Sequence, residues 1–202
     1  MKKNILRIKE KLEKILVKSK VLQNEPMSKH TSMRVGGPAD IFIILEDTEE
    51  FKKIISLAKR MKISLSVIGS GTNLLVGDAG IRGITVKPGR AFNYIRFKNG
   101  SITAGGATQA KKLLEAAMQR GLGGIEFLCG LPGSIGGAVI GNAGFPKRSI
   151  GDFVERVKVI DFSGRSLTLT KKDLEFYYRG SSLKGSKLII TEVILSDTIN
   201  VM

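Results

Sequence analysis

Apolar residues recur at three- and four-residue steps over Met1 to Lys20. Ile5, Ile8, Leu12, Ile15 and Leu16 share one side and lysines fill the other. That period predicts an amphipathic helix, docked on a domain with a solvated basic face or lying on a membrane or nucleic-acid surface. From Asn24 the pattern shortens to β-rich runs alternating with helical ones. Asp40 to Leu45 reads as a strand, and Thr48 as the N-cap of a helix that buries Phe51, Ile54, Ile55 and Ala58. Leu65 to Ile68 is a second strand, which completes a βαβ unit and runs into a glycine-rich loop. Gly83 to Lys87, Tyr94 to Lys98 and Ser101 to Ala104 read as further strands, the last two joined by Asn99-Gly100, a strong hairpin signal. Thr108 is expected to cap a helix with Leu113, Leu114, Ala117 and Met118 inside, ending near Gly121. Phe153 to Phe162, Leu167 to Thr170 and Leu188 to Leu195 complete a β-rich second half, with Ser163-Gly164 as a turn. The expected build is α+β in two lobes, divided near Gly89.

Composition narrows the partners. Of 202 residues, 42% are apolar and 25% charged, which excludes a disordered tail or a fibre. Lys and Arg outnumber Asp and Glu by 33 to 18, a net +15 that favours anionic partners such as nucleotides or phosphates. Met1 to Lys20 holds eight basic and two acidic residues, so the remainder is still basic. The single cysteine, Cys129, cannot form an internal disulfide and reads as a small buried residue in a reducing cytosol. No apolar run reaches the roughly 18 residues of a spanning helix, and the basic N-terminus lacks the apolar core of a signal peptide. The reading is a cytoplasmic protein without membrane insertion.

Twenty-four glycines exceed the usual share of roughly 7%, and they cluster. The first cluster is Gly69-Ser70-Gly71-Thr72-Asn73-Leu74, directly after an apolar strand. Glycines there permit close backbone approach, so successive amides can form an anion-binding concavity. It is neither a Walker A loop nor a Rossmann fingerprint, since Leu74 occupies the last glycine position. A plain turn is the alternative. The second cluster is Gly130-Leu131-Pro132-Gly133-Ser134-Ile135-Gly136-Gly137-Ala138, followed by Gly141-Asn142-Ala143-Gly144. It suits a helix N-terminus facing a phosphate or a flat ring, or tight packing of helix on sheet. Two such loops in one basic chain suggest a dinucleotide held at its pyrophosphate.

In these loops and in four further motifs the chain resembles the UDP-N-acetylenolpyruvoylglucosamine reductase (UDP-N-acetylmuramate dehydrogenase) family from about Asn24 to Leu195. The residues that carry the resemblance are His30 to Ala39, Gly69 to Val76, Gly80-Ile81-Arg82-Gly83, Gly124 to Phe127, Gly130 to Ala138 with Asn142-Ala143-Gly144, and Phe176 to Ser181. The resemblance implies a two-lobed FAD-binding domain of the vanillyl-alcohol-oxidase (PCMH) type. It implies non-covalent FAD, reduced by NADPH, and hydride transfer to the enolpyruvyl double bond of a UDP-sugar in peptidoglycan precursor synthesis. By the same resemblance, Gly69 to Leu74, Gly130, Pro132, Gly133, Ser134, Gly136, Gly137, Ala138, Asn142, Gly144 and Ile189 are expected to bind the cofactor. Arg179, with Tyr178 beside it, is expected to be catalytic, pairing with the substrate carboxylate and stabilising enolate-like charge.

Two departures stand out. Phe145-Pro146-Lys147-Arg148 replaces the family's small, glycine-rich continuation. The family's substrate domain, with its proton-donating serine and a glutamate, has no counterpart before Met202. The expected organisation is therefore an N-terminal helix over 1–20, a first lobe over 21–88, a second over 89–197 and a stub over 198–202, where that domain would follow. His30, the only histidine, reads as a packing residue. No cluster has metal-ligand spacing, and no basic-aromatic face suits stacked bases. The reductase reading stands against a non-catalytic flavin-binding domain and a basic nucleic-acid binder.

Overall fold

A computed structural model describes residues 2–98 and 100–196, with side chains from residue 5 onward. The chain divides into two compact units, Met1–Ala91 with Phe162–Gly164, and Phe92–Asp161 with Arg165–Met202. The expected stub at 198–202 and Asn99 of the hairpin turn lie outside the described residues.

The first unit runs α1 (Lys2–Ile15), β1 (Lys20–Pro26), β2 (Pro38–Leu45), α2 (Thr48–Arg60), β3 (Leu65–Val67) and β4 (Ile81–Pro88). Its sheet has the order β1-β2-β4-β3, with β2 and β3 both parallel to β4 and β1 antiparallel at the edge. The βαβ unit is thus present, with β4 inserted between its strands. Beyond Asp40, β2 is apolar from Ile41 to Leu45 because both of its faces are covered. Ala39 and Phe42 join Met27, Ile68 and Val76 in one cluster, while α1 and α2 also pack on β2. α1 buries Ile8 and Leu12 and docks on the unit. It stops at Ile15 because the Glu50 carboxylate gathers the next amides, Val17 (2.6 Å), Lys18 (2.8 Å) and Ser19 (2.9 Å).

β1 was not foreseen. Its sequence KVLQNEP carries little apolar pattern, and as an edge strand it is held by main-chain pairing to β2. The cap of α2 is Asp47, not Thr48. The Asp47 side chain accepts from the Glu49 amide (2.7 Å) and the Glu50 amide (3.3 Å), leaving Thr48 as the first helical residue.

The second unit contains β5 (Ile95–Lys98), β6 (Ser101–Gly105), α3 (Ala110–Met118), α4 (Ile135–Ile140), β7 (Gly144–Phe145), β8 (Arg148–Ser149), α5 (Ile150–Phe153), β9 (Val154–Asp161), β10 (Ser166–Thr170), β11 (Phe176–Tyr177), β12 (Gly180–Ser181) and β13 (Leu188–Leu195). Five strands form an antiparallel sheet in the order β10-β9-β13-β6-β5. Its core joins Ile102, Val157, Val159 and Val193 to Leu113, Ala117, Ala138 and Val139 from α3 and α4. Thr108 does not cap α3; Gln109 stands at the N-cap, and its side chain does not cap the helix. The Thr108 hydroxyl donates to the Tyr94 carbonyl at 2.9 Å, and the Gly133 carbonyl accepts the Ala110 amide at 2.9 Å. A tertiary acceptor replaces the local cap. Among the described residues no helix is long and apolar enough to cross a membrane.

Candidate functional site

In the first unit, β3 delivers the chain through buried Ile68 into the loop Gly69 to Val76. Gly71 has φ +73°, and a Cβ there would lie 1.8 Å from the His30 carbonyl oxygen. The Ser32 amide donates to the Gly71 carbonyl at 3.1 Å. Gly71 is therefore the contact point between the loop and the His30 segment, and only glycine permits it. The His30 ring stacks on Phe42 at 4.1 Å and meets Glu25 at 3.1 Å. Burial, opposed by the Glu25 bond and helped by Lys87, holds its pKa below the ordinary 6.5. This agrees with a packing role for the histidine.

Among the described residues, the amides of Gly69 and of Gly71 through Asn73 have no hydrogen-bond acceptor. Consecutive unengaged amides give a concentrated positive potential, the physical requirement for holding a phosphate. Gly69 and Asn73 are exposed, Ser70 and Thr72 are half-buried, and Leu74 packs against the Met27–Phe42 cluster.

In the second unit the geometry departs from a phosphate-binding helix end. α4 has six residues, and its first amides already have protein acceptors. Ile135 donates to Thr108 O (2.8 Å), Gly136 to Gly106 O (3.0 Å) and Gly137 to Ser134 Oγ (3.4 Å). Gly136 serves packing, since a Cβ there would lie 2.8 Å from the Gly106 carbonyl. Ser134 and Ala138 are buried, as is Ile189 on β13, whereas Pro132 and Gly137 are exposed. The unengaged amides of this loop among the described residues are those of Gly130, Gly133 and Ser134, and a Cβ on Gly130 would meet open space. Cys129, beside them, is exposed rather than buried, because the chain turns outward after the short helix Glu126–Leu128.

The strands β11 and β12 form a hairpin whose two-residue turn is Tyr178-Arg179. Both residues are exposed, and the Arg179 guanidinium has no carboxylate partner among the described residues. Arg179 has φ +60°, a region that favours Gly or Asn; such strain is commonly retained at functional positions. Asn142 and Gly144, expected near the cofactor, have other engagements here. The Asn142 amide joins Tyr177 O (3.0 Å) to the Gly151 amide (3.0 Å), and Gly144 pairs with Ser149. Phe145 to Arg148 form a small hairpin with Phe145 exposed.

One polar cluster escaped the sequence reading. Glu192, nearly buried on β13, accepts the Tyr94 hydroxyl at 2.6 Å and pairs with Lys158 at 2.8 Å. Burial and the carboxylate push Tyr94 up to about 12. Burial alone would raise Glu192, but the bonds from Lys158 and Tyr94 outweigh it and hold the group below its ordinary value. The signal was there: a lone acid in the apolar run LIITEVIL.

A family model described as the FAD binding domain matches residues 39–170. The chain belongs to the FAD-binding domain family. A UDP-N-acetylenolpyruvoylglucosamine reductase of Moorella thermoacetica is 41% identical over 175 residues, covering 87% of this chain and 58% of that relative. The reductase of Bacillus subtilis is 36% identical over 168 residues, covering 83% of this chain and 55% of that relative. The crystal structure of the reductase from Thermus caldophilus matches with TM-score 0.74 and 30% identity, covering 90% of this chain and 62% of that one. The chain thus spans a little over half the length of the curated relatives it matches. A VAO-type flavoprotein of Myceliophthora thermophila, at 13% identity and TM-score 0.58 over 79% of this chain and 32% of that one, shares the fold. The vanillyl-alcohol-oxidase type of α+β fold expected from the sequence is the one present. The residues of this FAD-binding domain fit the anionic part of the cofactor, most clearly at the unengaged amides of Gly69 and Gly71 through Asn73.

Proposed function

We propose that this FAD-binding domain serves the NADPH-dependent reduction of UDP-N-acetylenolpyruvoylglucosamine to UDP-N-acetylmuramate, in cytoplasmic peptidoglycan precursor synthesis. Bound FAD would supply the hydride chemistry between NADPH and the enolpyruvyl double bond. The amides of Gly69 and Gly71 through Asn73 would hold pyrophosphate oxygens, with Ser70, Thr72 and Asn73 as side-chain donors and Leu74 packed beneath them. From the second cluster, Gly130 and Gly133 contribute amides, and Pro132 and Gly137 lie at the surface beside them. Ser134, Gly136 and Ala138 act by shaping that loop, and Ile189 by its place in the sheet. The Arg179 guanidinium pairs with the substrate carboxylate and stabilises the negative charge that develops there as the double bond is reduced. Tyr178, its neighbour in the turn, contacts the same substrate.

The observation that carries this reading is the 41% identity to a reductase together with an unpaired, exposed arginine at a strained turn. A second reading, a flavin-binding domain that does not turn over by itself, is favoured by the 58% coverage of that relative. Both predict a purified yellow protein whose flavin is released completely on denaturation. Colourless protein that takes up no added FAD, or flavin that stays with the precipitated chain, defeats both. Oxidation of NADPH that depends on the enolpyruvyl nucleotide, and disappears in Arg179→Ala, separates the first from the second.

A further inference from the structure

Arg179 stands in a turn braced within the hairpin by the Tyr177 hydroxyl, which donates to Ser181 O at 3.2 Å, and from outside it by α4. The hairpin strands are two residues each, shorter than a hairpin needs for independent stability. Its second turn residue carries φ +60°, which is sterically disfavoured for a side chain with a Cβ. What fixes the hairpin from outside is α4 and the residues after it. On the β12 side, fully buried Ser181 donates its hydroxyl to Ile140 O at 3.0 Å. On the β11 side, Asn142 donates Nδ2 to Tyr177 O at 3.0 Å and accepts the Gly151 amide on Oδ1 at 3.0 Å. Asn142 itself lies at φ +43°, so the chain leaving α4 turns its side chain across the base of the hairpin. Gly151 completes the seat, since a Cβ there would lie 2.5 Å from the Phe176 ring and 2.8 Å from Asn142 Oδ1.

We propose that Asn142 is the positioning residue that sets Arg179, tying the arginine hairpin to the end of the helix that follows the second glycine loop. Its amide uses both a donor and an acceptor in this bridge, so no other residue type of its length and tolerance for positive φ reproduces it. The inference rests on the reading of Arg179 as the carboxylate-binding group. It deepens that reading by naming what holds the guanidinium in place.

The test uses the FAD-loaded chain and three variants, Asn142→Gly, Arg179→Ala and the double variant. Asn142→Gly keeps the left-handed backbone and removes only the amide bridge. At matched flavin content it is expected to weaken enolpyruvyl-nucleotide binding about tenfold, followed without NADPH by the flavin absorbance change. The double variant should bind no more weakly than Arg179→Ala alone, because Asn142 acts through the arginine. A second readout needs neither flavin nor substrate. Trypsin cleavage of the Arg179–Gly180 bond should accelerate in Asn142→Gly while cleavage at other basic residues stays constant. Unchanged nucleotide affinity in Asn142→Gly, additive losses in the double variant, or unchanged cleavage after Arg179 overturns the role of Asn142. A wild-type chain that holds FAD but binds no enolpyruvyl nucleotide overturns the carboxylate reading of Arg179 instead, and the proteolysis arm still decides whether Asn142 holds the hairpin.

Discussion

Gly71 and Gly130 both have positive φ, yet their surroundings predict different outcomes. In Gly71→Val the new Cβ falls 1.8 Å from the His30 carbonyl, so the loop must leave the His30 segment. FAD affinity should drop by about a hundredfold or more, with loss of stability. In Gly130→Ala the Cβ meets open space, so the cost is backbone strain alone, about 1–2 kcal/mol, and FAD affinity should fall only about tenfold. Titrating apo-protein with FAD, followed by flavin fluorescence, checks both; equal affinities for the two variants would refute the contrast. His30 makes a second residue-scale prediction. Its pKa is held below 6.5, chiefly by burial against Phe42, with Lys87 and Lys29 adding to the Glu25-opposed effect. The unfolded chain therefore binds its proton first, and stability should fall as pH drops through 6.5 toward the folded value, then level. With one histidine in the chain, this loss of stability below the ordinary 6.5 in thermal melts should vanish in His30→Gln. Both glycine clusters were legible as motifs, and the packing role of His30 was too. Which amides stay unengaged was not, because the acceptors for Ile135 and Gly136 come from Thr108 and Gly106, more than twenty residues away.

At the scale of elements, the junction of α1, β1 and α2 depends on one carboxylate. Glu50 is buried and accepts three consecutive amides, Val17, Lys18 and Ser19. Burial by itself raises its pKa, but the bonds from Ser19, Lys18 and Val17 outweigh that and the net direction is down from 4.5. Its contribution is therefore present above 4.5 and lost as pH falls through the lower folded value. Glu50→Ala should cost about 2–3 kcal/mol by leaving several amides unpaired. Asp47→Ala, which removes the α2 cap, should cost about 1 kcal/mol. Urea unfolding of the two variants orders them, and a larger loss for Asp47→Ala would contradict the role given to Glu50. These elements also show where sequence pattern stops. β2, α2, β9 and β13 announce themselves because their own side chains form the core. β1 is held by backbone pairing at an edge, and the start of α3 by the Gly133 carbonyl, so neither leaves a local mark.

For the whole molecule, the question is whether these 202 residues suffice for turnover. Reduction of the enolpyruvyl double bond needs hydride at one carbon and a proton at the other, so a donor must be aimed at the second carbon. The serine hydroxyls nearest Arg179 in sequence offer little. Ser181 is fully buried and donates to Ile140 O, and the Ser182 hydroxyl accepts the Glu175 amide at 3.2 Å. The relatives that match are longer, this chain covering 58% of the Moorella thermoacetica reductase. A polypeptide of these residues expressed by itself is therefore expected to bind FAD and to turn over the enolpyruvyl nucleotide at least about a hundredfold more slowly than a full-length relative, the scale of a missing general acid. The measurement is NADPH oxidation with and without the nucleotide, at matched flavin content. A rate equal to that of a full-length relative would place the donor within these residues. Tyr178, exposed in the turn beside Arg179, would then be the group to test by Tyr178→Phe.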